Sequence, residues 1–154
     1  MSITKRPAAP EDEGFLAAVY FSTRHEEVAA WGWPREQQES FIGMQYDARR
    51  RSYQAAFEDA EWSILLADGI GAGSMIVHRS ATEIRLVDIA FLPEYQNRGF
   101  GSSMISALIE ESERTNIPLR LSVLHDNRAI RLYLRLGFAV QRSDGMYIEM
   151  ERHP

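Results

Sequence analysis

The spacing of apolar and polar positions is helical over the first third of the chain and strand-like from about residue 60 onward. Ile3 to Arg6 suits a short strand, ended by Pro7 and Pro10. Residues 11–23 have helical spacing, which predicts Phe15, Ala18, Val19 and Ser22 on one face and places acids in the first turn, where they complement the helix dipole. Residues 25–58 continue as irregular helix. Phe41, Met44 and Ala48 recur at helical spacing, and Trp31-Gly32-Trp33-Pro34 separates this region from the first helix. Residues 62–67 and 71–78 then flank Asp68-Gly69, a hairpin signal because both turn positions need positive φ. A second turn near residues 80–82 leads into a strand over 83–92 that Pro93 terminates. A helix is predicted from Gly99 to Thr115, with Met104, Ile105, Leu108 and Ile109 as its apolar stripe.

Further along, Leu119, Leu121 and Val123 alternate with Arg120 and Ser122, as in a strand. Residues 127–136 suit a helix with Ile130, Tyr133 and Leu134 inward and Gly137 at its C-terminal cap. The strands at 138–142 and 146–151 join through Ser143-Asp144-Gly145. This order predicts a mixed α+β fold: a mixed, mostly antiparallel sheet of about seven strands with helices on both faces, in a single domain over residues 1–154.

Composition narrows the chemistry. The chain of 154 residues is 45% apolar, enough for one core. It has no cysteine, which excludes disulfides, thiolate metal sites and any cysteine-bound intermediate. Net charge is −5, from 22 acidic and 17 basic residues. That balance argues against nucleic acid as a partner and suits a cationic amine. The four histidines are scattered without metal-ligand spacing, so no metal is expected. No apolar run reaches membrane-span length and none of signal-peptide type begins the chain, so a cytoplasmic location and no membrane partner are expected.

The most informative stretch is the strand-to-helix junction at residues 92–103. Gly99 and Gly101 open a long helix, leaving the backbone accessible, and the first amides of a helix have no internal partners. The amides of residues 98–102 could cradle a pyrophosphate, with Arg98, Ser102 and Ser103 adding donors. A tight turn would account for the two glycines equally well. Met104 stands where a dinucleotide fingerprint has its third glycine, and no Lys-Ser/Thr pair marks a nucleotide loop.

Gln96-x-x-Gly99-x-Gly101, after a strand ending in Ala90-Phe91, resembles the acetyl-CoA signature of the GNAT superfamily of N-acetyltransferases. A second stretch, residues 127–138 with Asn127, Tyr133 and Gly137-Phe138, resembles a later motif of the same family. Arg6-Pro7-Ala8 followed by Asp12 is similar to its opening strand and helix. The resemblance implies acetyl-CoA as cosubstrate and transfer of its acetyl group to a primary amine by direct attack in a ternary complex. It places the pantetheine arm on the main chain of Ile89, Ala90 and Phe91, and the pyrophosphate on Asn97, Arg98, Gly99, Phe100, Gly101 and Ser102. Tyr133 matches the family's general acid for the departing thiolate. Asn127 matches a cofactor-contacting Asn, although it stands six residues before the Tyr where the family often has seven, with Asp126 at the seven-residue position. Capping the following helix is the other role open to Asn127.

The acceptor must also lose a proton. A lysine-like amine is neutral in only about one part in 2,500 at pH 7, a deficit of roughly 4.6 kcal/mol. Asp88 is the candidate base, although alternation places it opposite Val87, Ile89 and Phe91 unless a bulge reverses it, and a buried hydrogen-bonded role is the leading alternative. Glu83, Glu149, Glu26 and Glu27 are further candidates. Trp31, Trp33, Phe41, Gln45, Tyr46 and Tyr53 lie where family members diverge, and packing accounts for most of them. Arg49-Arg50-Arg51 and Arg128, Arg131 and Arg135 are expected on solvated helix faces. The expected partner is a small-molecule or peptide amine, and a homodimer is compatible with the resemblance. The competing class is a non-catalytic module that binds acyl-CoA as a sensor or interaction domain.

Overall fold

The computed structural model describes residues 2–154. Its elements follow the order β1 (Ile3–Pro7), α1 (Glu13–Ala29), α2 (Arg35–Ala56), β2 (Glu61–Ala67), β3 (Ile70–Arg79), β4 (Ile84–Phe91), α3 (Phe100–Thr115), β5 (Leu119–Leu124), α4 (Ala129–Arg135), β6 (Ala139–Ser143) and β7 (Tyr147–Arg152). The strands form one sheet in the order β1-β2-β3-β4-β5-β7-β6. Every neighbouring pair is antiparallel except β4 and β5. The parallel pair needs a long crossover, and α3 supplies it.

Local chemistry explains the boundaries. Asp68 and Gly69 take φ of 48° and 82°, the left-handed pair that a two-residue hairpin requires. The Ser80 hydroxyl accepts hydrogen bonds from the amides of Thr82 and Glu83, closing the next turn. Asp144 accepts from the amides of Met146 and Tyr147 and shapes the last hairpin. The Arg6 guanidinium grips both oxygens of Asp12 at 2.7 and 2.8 Å, tying β1 to the start of α1.

α1 runs six residues beyond its predicted end at Thr23 to Ala29, and the break falls at residues 30–34 as expected. Its buried positions are Leu16, Val19 and Val28, whereas Ala18 is exposed. Leu16 gains burial by facing the sheet, so the packed stripe is rotated from the predicted one. α4 likewise buries Tyr133 but leaves Leu134 half exposed, because the helix is short and only one of its faces meets the sheet.

The sheet's two faces carry different partners. Met75, Val77 and Leu86 pack with Ile105, Leu108 and Tyr133 of α3 and α4 in the main core. The alternate residues Ser74 and Ile76 face α1, whose Leu16 and Val19 line the same cavity. Among the described residues no helix is long and apolar enough to cross a membrane.

Candidate functional site

β4 and β5 pair only over Ile84–Leu86 and Leu119–Leu121. Beyond that, β4 stays on β3 as far as Phe91 and β5 stays on β7 as far as Leu124. The two strands therefore part, and the β5-facing backbone groups near Ile89, Ala90 and Phe91 have no strand partner. An unpaired edge of this kind accepts an extended ligand as if it were another strand.

The parting coincides with a bulge. Ile76 pairs with Asp88 and Val77 with Leu86, so Val87 is the extra residue. Leu86 and Ile89 both pack on the α3 side, while Asp88 turns with Ile76 to the α1 side. Asp88 does lie opposite Ile89 and Phe91, as alternation predicts. That opposite face is the wall of a cavity of about 550 Å³ between the sheet and helices α1 and α2. A narrower cleft of about 200 Å³ lies between the parted strands and reaches Val123 and Tyr133. Asp88, Ile89 and Asn127 line both spaces.

At the other end of β4, the chain turns through Pro93–Tyr95 into α3. Asn97 and Gly99 adopt φ of 61° and 80°. The Gln96 side-chain amide donates to the Phe91 carbonyl at 3.0 Å and pins this loop to the end of β4. The first amide of the helix start to bond within the chain is that of Ser103, to the Gly99 carbonyl. The amides between Asn97 and Ser102 therefore have no partner among the described residues. Phe100 contributes only its backbone there, because its ring is buried against Phe91 and Tyr95. Arg98 is exposed, with its guanidinium 5.8 Å from the Tyr95 ring centre. Gly73 on β3 has a less visible part: a Cβ there would stand 2.2 Å from the Ala90 carbonyl oxygen. Only glycine lets β3 lie that close to β4.

Tyr133 is 7% exposed and packs edge-on against Phe138. Burial, together with the charge of Asp88, pushes its hydroxyl up to about 12. It therefore holds its proton throughout the neutral range. Asp88 is engaged by Nη2 of Arg49 at 2.5 Å. The Arg49 guanidinium is itself sandwiched between the rings of Tyr20 and Tyr53, 5.0 and 4.9 Å from their centres. Burial opposes the charge on Arg49, but Asp88 outweighs it and the guanidinium is held more firmly protonated. Arg49 thus departs from its predicted place on a solvated face. So does Arg50, which binds Glu13 at 2.8 Å, whereas Arg51, Arg128, Arg131 and Arg135 are exposed as expected. The sequence signal for Arg49 was the pair Gln45 and Tyr53, four residues to either side on one helical face.

Asn127 Oδ1 accepts the Ala129 amide at 2.8 Å, so it caps α4 while still lining the cleft. Glu27 reaches the cavity and pairs with Arg24. Glu26 is exposed. Glu83 and Glu149 belong to a charged ladder with Arg85 and Arg120 on the sheet. Trp31, Trp33 and Phe41 pack edge-to-face at the α1–α2 turn, while Gln45 and Tyr46 line the cavity and Tyr53 the cleft. Among the described residues no cluster of His, Asp and Glu could hold a metal ion.

A family model described as acetyltransferase (GNAT) family matches residues 16–138. Comparison with curated protein sequences gives no match. Among solved structures, the chain is similar to PaiA N-acetyltransferase from Thermoplasma acidophilum in complex with coenzyme A, with 24% identity, all of both chains covered and a TM-score of 0.73. It is similar to the ribosomal-protein-S18-alanine N-acetyltransferase of Escherichia coli, with 27% identity, 99% of this chain and 94% of that one covered and a TM-score of 0.63. A GNAT family acetyltransferase from Elizabethkingia anophelis with acetyl-CoA bound has 12% identity, coverage of 99% and 98%, and a TM-score of 0.62.

Proposed function

Because the chain belongs to the GNAT family of acetyltransferases, we propose that it moves the acetyl group of acetyl-CoA to a primary amine by direct attack in a ternary complex. The observation that carries this reading is the opening between β4 and β5, which brings Asp88, Ile89 and Tyr133 to one cleft. Acetyl-CoA would supply the thioester. The residues present suit it: free amides between Asn97 and Ser102 for the pyrophosphate, and the unpaired edge of Ile89, Ala90 and Phe91 for the pantetheine arm. Asn127 lines the same cleft and has amide donors left for the cofactor.

Each side chain then has one task. The large cavity admits the amine from the α1–α2 side, and Asp88 is the acid common to cavity and cleft. Asp88 binds the ammonium and accepts its proton, directly or through a water. A β4 amide polarises the thioester carbonyl as negative charge develops on its oxygen. Tyr133 donates its proton to the departing thiolate. A hydroxyl held near 12 is protonated whenever the thiolate forms; being a weaker acid than a thiol of pKa about 8.5, it donates first as a hydrogen bond to the developing sulfur charge, and solvent restores any proton it gives up. Without cysteine the chain offers no thiol to carry an acetyl group, which favours direct transfer.

The test is thiol release from acetyl-CoA with a panel of amino acids, peptides, polyamines and aminoglycosides. Amine-dependent release is expected. Acetyl-CoA binding without release on any acceptor would instead favour a non-catalytic acyl-CoA-binding module.

A further inference from the structure

The cavity wall carries a charge pattern that acetyl transfer to a simple amine does not require. Two arginines and two acids line it: Arg24 with Glu27, joined at 2.5 Å, and Arg49 with Asp88, also at 2.5 Å. Arg24 also donates to Gln45, one helical turn before Arg49 on α2. The two guanidiniums thus stand on neighbouring turns of adjacent helices. Two arginines against two acids leave this wall with no net negative charge to hold the several ammoniums of a polycation. A lone monoamine would satisfy Asp88 and leave the arginine donors without a ligand partner. The Arg49 guanidinium has five N–H donors, one of which serves Asp88. Its planar fork, fixed between Tyr20 and Tyr53, suits a second carboxylate beside the first. Leu16, Val19 and Trp62 give this wall an apolar patch, beside polar groups that include Thr23, Gln45 and Ser74.

We propose that the acceptor is an α-amino acid with an apolar side chain. Its carboxylate lies on Arg49, with Arg24 adding to the positive field, and its ammonium lies beside Asp88. Its side chain packs on Leu16, Val19 and Trp62. The short spacing of amine and carboxylate in an α-amino acid matches the direct contact between Arg49 and Asp88, so one guanidinium positions both substrate and proton acceptor. This rests on the acetyl-transfer reading. The new N–C bond forms as the C–S bond breaks, the ammonium proton passes to Asp88, and Tyr133 supplies the proton of the released thiol.

The test is calorimetric binding to the full chain with coenzyme A present, beside thiol release from acetyl-CoA. The probes are L-leucine, L-methionine and L-phenylalanine, each against its amide, together with spermidine. The free acids should bind about tenfold or more tightly than their amides, the size of one charge-assisted pair. In Arg49→Gln that ratio should fall to about one. Equal binding of acids and amides, tighter binding of spermidine, or an undiminished ratio in Arg49→Gln overturns the proposal. Preferred binding of the acids without thiol release upholds it and overturns the transferase reading. Thiol release driven equally by amides or polyamines does the reverse.

Discussion

Tyr133 and Asp88 are both partly withdrawn from water, yet their surroundings differ. The Tyr133 ring sits in an apolar shell, and burial holds its proton on. Asp88 faces a guanidinium that neutralises it and fixes its orientation. The two groups thus line one cleft in different surroundings. Removing the Tyr133 hydroxyl leaves the packing against Phe138 intact. Tyr133→Phe should therefore lower kcat by about 10²- to 10⁴-fold, the usual worth of a positioned acid. The affinity for acetyl-CoA measured by calorimetry should stay within about twofold. An unchanged kcat across pH would remove Tyr133 as the acid.

At the scale of elements, the parted strands matter more than any single residue. Three features hold β4 in its place: the bulge at Val87, the close approach of Gly73 to the Ala90 carbonyl, and the tether from Gln96 to the Phe91 carbonyl. A methyl group at position 73 would force β3 away from β4. Gly73→Ala should cost about 1–3 kcal/mol of stability, as overpacked sites do, measured by urea denaturation. It should also weaken acetyl-CoA binding, because the displaced strand is the one that offers its edge. Wild-type stability in this variant would mean that the contact relaxes elsewhere.

For the whole molecule, titration reports how the helices sit on the sheet. Tyr133 holds its proton up to about 12, and burial raises Tyr46 and Tyr53 as well, whereas unfolded tyrosines ionise near about pH 10. Above that pH the folded chain binds more protons than the unfolded one. The stability these groups contribute is fully present below about pH 10 and falls as pH rises towards 12. At the acid end the sign reverses. Asp12, held at about 2 by hydrogen bonds from Arg6 and the Ala9 amide, contributes stability above about pH 4 that is lost as pH falls through about 2. Denaturation midpoints across pH should show both slopes, and a flat profile from pH 9 to 12 would contradict the tyrosine burial. Much of the molecule is legible without coordinates. The strand meander, the Asp68-Gly69 turn, the α3 stripe and the amide loop at Gly99 all rest on local rules of periodicity, turn conformation and helix-end chemistry. The position of Arg49 was not legible, because an arginine on a polar helix reads as solvated until a carboxylate from a distant strand meets it. The same holds for Gly73, whose neighbour is a carbonyl on another strand; the face of Asp88 follows from alternation, but the cavity on that face does not. The sequence by itself determined which elements form, how the loop of unpaired amides is built and that no cysteine chemistry is available, since these depend on residues near one another along the chain. Only the tertiary structure decided that β4 and β5 part, that Asp88 faces a cavity and that Arg49 shares it, because pairing register and charge contacts between distant segments depend on how the helices pack on the sheet.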